Sequence, residues 1–68
     1  MNLLPINTRI RLINNPEITG TIIEHIVYSN GELSLLPYKV NWDDHLRAMG
    51  IIGFLVSYPS PRYIEDIK

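Results

Sequence analysis

Between Tyr38 and Trp42 the chain alternates strictly: Tyr38, Val40 and Trp42 project to one face, Lys39 and Asn41 to the other. Asp43 and Asp44 end the run, and acids suit a turn better than a strand. Thr8 to Ile13 repeats the period of two, with Ile10 and Leu12 inward and Arg9 and Arg11 outward. Ile6 continues the inward parity, and Pro5 keeps the lead-in extended. The two runs predict strands near 8–13 and 35–42, the second being the central one because it carries Trp42, the only tryptophan.

Thr19 to Tyr28 is rich in β-branched residues, but its apolar positions fall as doublets, Ile22-Ile23 and Ile26-Val27. Those positions would also fit a helix. Composition favours a strand over 19–28, bent or bulged at the doublets, with Gly20 permitting a close backbone approach. Asn14-Asn15-Pro16-Glu17 reads as the turn before it, and Asn30-Gly31 as a type I′ hairpin turn after it. Leu33 to Leu36 reads as a loop arm leading to Pro37, which suits a strand start or a sheet edge.

The later half is less regular. Asp43 to Gly50 fits one or two helical turns, capped by Asp43 or Asp44 and closed by Gly50, or equally a loop. Ile51 to Tyr58 reads as a strand interrupted by Gly53. After Pro59-Ser60-Pro61, residues 63–67 give a last short strand with Ile64 and Ile67 in the core. About five short strands with turn signals between them predict an all-β, five-stranded antiparallel barrel over residues 1–68, since closure removes exposed edges.

Composition narrows the function. At 68 residues the chain is one small domain, and such a domain buries only about 60% of its unfolded surface. With no cysteine it has neither disulfide support nor thiolate chemistry, which fits a reducing, cytoplasmic setting. Six basic residues against seven acidic ones give a net charge of −1, a poor field for steering toward nucleic acid or anionic lipid. No apolar run reaches the ~20 residues of a membrane span, and Met1-Asn2-Leu3-Leu4-Pro5 is no signal peptide.

The residues resemble a known group. Gly20-Thr21-Ile22, the run from Tyr38 to Asp43, and Ile64 with Ile67 follow in the order found in SH3-like barrels. That group includes KOW and Tudor-type modules and a small barrel protein of photosystem I. The stretch Pro59-Ser60-Pro61-Arg62-Tyr63-Ile64 is also similar to the Pro-Ser-Asn-Tyr-Val ending of signalling SH3 domains, whose proline and tyrosine hold polyproline ligands. The resemblance implies an SH3-like barrel. The chain lacks the Ala-Leu-Tyr-Asp-Tyr opening and the adjacent tryptophan pair of signalling SH3 domains, and Tyr63 falls one residue late. It also lacks the basic character of KOW modules and the basic docking face and Asn-rich late segment of the photosystem protein.

No constellation points to catalysis, a metal or a cofactor. Asp43, Asp44 and His45 are consecutive, so their side chains do not converge without a tight turn, and His25 stands apart. No nucleophile motif or phosphate loop is present. Arg9 and Arg11, with Lys39 near, form a solvated face balanced by Glu24 across the sheet. Trp42, Tyr38, Tyr58 and Tyr63 either complete the core or form an aromatic surface. With 46% hydrophobic residues the core cannot absorb every aliphatic group, and Leu3, Leu4, Leu33, Leu35 and Leu36 are the surplus. The expectation is a non-enzymatic protein-interaction module that binds a protein partner or a second copy of itself. The expected surface is Leu33, Leu35, Leu36, Tyr58, Tyr63 and Trp42, with the Asp43–Gly50 loop beside it. A KOW-like nucleic-acid module is the alternative.

Overall fold

Ile10 and Leu12 on β1 (Arg9–Leu12), and Tyr38, Val40 and Trp42 on β3 (Leu33–Trp42), turn their side chains to one buried face, as their alternation requires. The computed structural model describes residues 3–67. Met1, Asn2 and Lys68, and with them the ends of the 1–68 span, lie outside the described residues. Between β1 and β3 runs β2 (Thr19–Val27), and β4 (Ile64–Asp66) pairs with the far side of β1. All pairings are antiparallel and the order is β3-β2-β1-β4, a four-stranded sheet curled into a half-barrel. Strand β3 therefore ends the sheet and is not central to it.

The curl is written in β2. Its pairing with β3 shifts register between Ile22 and Glu24 and again between His25 and Val27, at the two apolar doublets. An extra residue on one strand bends it and re-aims its neighbours. Ile22 is thus fully buried while Ile23 points to solvent. Gly20, opposite Trp42, allows the close approach expected of it: a Cβ there would lie 2.9 Å from the Asn41 carbonyl and from Val40 Cγ1.

The β1–β2 turn is closed by the Ile18 N–H donating to the Asn15 carbonyl at 2.9 Å, with Pro16 between them. The β2–β3 hairpin differs from the expected type I′ turn. Gly31 has φ 87°, while Asn30 stays out of the left-handed region. Gly31 N–H bonds the Tyr28 carbonyl and Tyr28 N–H bonds that of Glu32, which makes a three-residue loop with a bulged glycine. Leu33 to Leu36 belongs to β3 and is no loop arm.

The largest departure lies after β3. The strand expected over 51–58 does not form, so the fold is not all-β and the fifth strand is missing. Helix α1 (His45–Ile52) and a 3-10 turn (Gly53–Leu55) take its place. Asp44 caps the helix, its Oδ1 accepting the Arg47 N–H at 3.2 Å. Gly50 does not close it; Gly53 does, at φ 65°. Ile51 and Ile52 are poor helix formers, but Ala48 and Ile52, one turn apart, both pack on the core and hold the helix to its sheet. The segment after the 3-10 turn touches the outer edge of β3 through one backbone bond, from Val40 N–H to the Ser57 carbonyl at 3.0 Å.

The core comprises Ile10, Leu12, Ile18, Ile22, Tyr38, Val40, Trp42, Ala48, Val56 and Ile64, with Leu3, Leu4 and Ile52 packed at its margin. Each large aliphatic member contributes about 1.5–3 kcal/mol by leaving water. Ile6 and Ile67, expected inward, are exposed instead: Ile6 precedes β1 in a turn and Ile67 follows the end of β4.

Candidate interaction surface

The aromatic residues separate into core and surface. Trp42 is 4% exposed, and its indole Nε1–H donates to the Val56 carbonyl inside the core. It is a packing residue, and its place in the expected binding surface is corrected accordingly. Tyr38 is buried too, its hydroxyl accepting the Leu4 N–H at 2.9 Å. His25 Nε2 lies 2.8 Å from the Leu4 carbonyl and must donate to it, so His25 and Tyr38 together tie the N-terminal lead-in to the sheet. Tyr58 and Tyr63 are both exposed.

Tyr63 ends a second 3-10 turn (Pro61–Tyr63) and borders an apolar groove of about 260 Å³. One wall is Leu12 with the Asn14-Asn15 turn; the other is Ile51, Ile52 and Leu55, and Pro59 and Ser60 complete it. The groove exists because the chain turns at Gly53 and then returns to β4 through Pro59-Ser60-Pro61, leaving the end of α1 standing off from the β1–β2 turn. Of the expected surface residues, only Tyr63 lines it. Leu35 is 85% exposed on β3, Leu33 and Leu36 are half-buried beside it, and Tyr58 lies outside the groove wall.

Sequence reasoning included Leu35 and the Asp43–Gly50 segment in the expected surface but overlooked the most exposed apolar group, Phe54. Phe54, the only phenylalanine, is 93% exposed in the first 3-10 turn, and Leu46 is 80% exposed on α1. The expected strand over 51–58 left Phe54 unassigned to either face. The available signal was Gly53, whose positive φ ends a helix as readily as it interrupts a strand.

The charged groups pair with one another. Arg9 forks onto Asp43, with Nη1 donating to Oδ1 at 2.8 Å and Nη2 to Oδ2, while Thr19 Oγ1 donates to Oδ2 at 2.5 Å. The Arg9 hydrogen bond, and after it that of Thr19, lowers the Asp43 pKa to about 2. Arg11 meets Glu65 at 3.2 Å and Arg47 meets Glu17 at 3.4 Å. On the basic strand face Arg9 and Arg11 are therefore balanced by Asp43 and Glu65, while Glu24 stands opposite Lys39 in the β2–β3 register. Among the described residues no three His, Asp or Glu side chains converge as metal ligands would, and no helix is long and apolar enough to cross a membrane. No protein-family model, curated protein or solved structure matches the chain.

Proposed function

We propose that this protein is a non-enzymatic interaction module, a small adaptor, inhibitor or accessory component of the cytoplasm that works by binding another protein surface. The observation that carries this reading is the apolar groove beside Tyr63, with Phe54 and Leu46 left in solvent close along the chain. Apolar groups so exposed are what a binding face requires and what a free monomer avoids. The pairing of Arg9, Arg11 and Arg47 with carboxylates supports the same reading, because cations so engaged are poorly placed for phosphates. At the level of fold, the order β3-β2-β1-β4 with Ser57 bonded at the outer edge of β3 supports an SH3-like barrel in which α1 has replaced a strand.

Capture from a native lysate on the immobilised chain tests the function. Wild type retains a protein partner or more of its own chain, and Tyr63→Ala and Leu35→Ser, each checked for folding, show which face is used. Unchanged capture by both, together with its loss on Arg11→Glu, would move the working face to the basic strand. Micromolar binding to mixed-sequence RNA with a steep salt dependence would replace the protein-binding reading with a nucleic-acid one.

A further inference from the structure

We infer that the face formed by α1 and the first 3-10 turn is a self-complementary dimer surface, in which Phe54 of each chain enters the groove of a second copy. The inference rests on the interaction-module reading and names its partner. It starts from an inverted helix. Of the eight residues of α1 only Ala48 is buried and Ile52 half-buried; Leu46 and Gly50 lie on the side away from the core, Met49 and Ile51 are exposed on its two flanks, and His45 is exposed at its start. Arg47, the charge on that side, is drawn off toward Glu17 at the β1–β2 turn. A solvent face of this composition leaves uncompensated apolar area.

Gly50 is a second observation. Its φ is not positive, and a Cβ built on it meets nothing within 4 Å, so nothing inside the chain requires glycine there. Glycine within a helix is nevertheless less favourable than alanine. Close approach by another backbone gives it a use. Leu46 and Gly50 are one helical turn apart, the spacing at which two helices meet along one stripe.

The third observation is the fit between knob and socket. Phe54 lies between Ile52 and Leu55 in the chain, two residues of the groove wall, so projection and cavity are neighbours along the backbone. A two-fold interface needs that arrangement, since each copy must offer both parts to the other. A cavity of ~150 Å³ admits a benzene ring, so 260 Å³ takes a phenyl group and a flanking aliphatic side chain. A second copy also suits the charge: the axis of a two-fold contact sets like against like, and the one cation beside the Leu46–Gly50 stripe, Arg47, is already paired with Glu17.

The area suffices as well. Taking roughly 150–250 Å² for each large side chain, the exposed parts of Leu46, Met49, Ile51, Phe54 and Tyr63 amount to about 600 Å² per chain. A standard interface takes about 800 Å² per partner, a little over half of it apolar, or about 450 Å².

Sedimentation equilibrium on the whole chain, from low micromolar to near-millimolar concentration, tests the inference. Wild type is expected to approach twice its 7.9 kDa mass, with a Kd of about 10 µM or tighter. Phe54→Ala and Leu46→Ser, both at exposed sites and both checked by circular dichroism, should each weaken the dimer by at least ~30-fold. Leu35→Ser on β3 should leave it unchanged. In a mixed sample of labelled and unlabelled chains, nuclear Overhauser contacts should run from the Phe54 ring of one copy to Tyr63 and Ile51 of the other. A monomer throughout the range overturns the inference, as does a dimer indifferent to Phe54. If that monomer still captures a protein from lysate in a Tyr63-dependent way, the interaction reading stands and only the second copy is lost. If it captures nothing, both fall.

Discussion

Trp42 and Phe54 are the largest apolar groups in the second half of the chain, and the structure treats them oppositely. Trp42 ends a strand whose alternation turns it inward, and its one polar atom finds the Val56 carbonyl. Phe54 follows a glycine that breaks the helix and points to water with almost its whole ring. The sheet face joining Ile10, Ile22, Val40 and Trp42 is a finished interior. The helical limb holds on to that interior through Ala48 and Ile52 and leaves Leu46, Met49, Ile51 and Phe54 outside. The first region uses apolar area to fold the chain. The second keeps apolar area that folding does not use, and surface of that kind is available to a partner.

The contrast is sharpest in a pair of truncations, and the larger effect belongs to the sheet. Ile10→Ala, or Val40→Ala beside it, should cost about 2–4 kcal/mol in denaturant unfolding, because each removes side-chain atoms sealed on every side. A domain this small has only ~5 kcal/mol in total, so the variant is expected to be partly unfolded at room temperature. A loss below about 0.5 kcal/mol would show that the sheet face is not a closed interior.

Two glycines extend the comparison. Gly20→Ala sets a Cβ 2.9 Å from the Asn41 carbonyl oxygen, and backbone cannot yield there without disturbing the Trp42 contact, so a loss of about 1–3 kcal/mol is expected. Gly50→Ala sets its Cβ in open space on the helical limb and should raise the stability of the dilute protein by about 0.5–1 kcal/mol. Thermal melts of the two variants should move in opposite directions. Equal destabilisation by both would mean that α1 is as tightly enclosed as the sheet.

Much of the sheet was legible in the sequence because its signal is local. Period two placed Ile10, Leu12, Tyr38, Val40 and Trp42, and the doublets on β2 announced the register shifts that bend it. What failed was the stretch from Ile51 onward. Ile51, Ile52, Val56 and Tyr58 have strand-forming side chains, and although Asp44 reads as a cap, nothing local says that the helix continues through Ile51 and Ile52 to Gly53. That outcome depends on Ala48 and Ile52 reaching a core built by residues far away in sequence. With 51–58 taken as a strand, Phe54 drew no notice and Leu33 to Leu36 stood out as the aliphatic surplus. The exposure of Tyr63 was legible because Pro59-Ser60-Pro61 marks a turn whatever surrounds it.

Asp43 joins the two regions, since it closes β3 and precedes the helix cap. Its carboxyl titrates near 2, below the ordinary 3.8, because Arg9 and Thr19 hydrogen-bond its charged form. A group whose pKa falls on folding stabilises the fold above its unfolded value. The contribution is therefore complete above about pH 4 and fades as the pH drops through 2. About half of each side chain remains in solvent, so screening holds the effect to about 0.5 kcal/mol. Unfolding free energy followed from pH 5 to about 2 should fall less steeply in Asp43→Asn than in wild type. Identical slopes would mean that the Arg9 fork does not persist in solution.

Phe54→Ala is expected to have the smallest effect on folding and is for that reason the most informative test of the contrast. In a well-packed interior the loss of a phenyl ring costs about 3–5 kcal/mol. Phe54 is 93% exposed, so truncation removes almost no buried area, and below the concentration at which chains associate the change should lie within about 0.5 kcal/mol of zero. Measured at high concentration, the same variant should fall behind wild type, because a partner that binds only the folded chain adds stability by mass action and Phe54→Ala forfeits it. The concentration dependence of the difference is the quantity to read. Chemical unfolding of both proteins at the two ends of an accessible range supplies it. A constant difference of about 2 kcal/mol or more would place Phe54 in the folding core, and the division between a sealed sheet and an open limb would not survive.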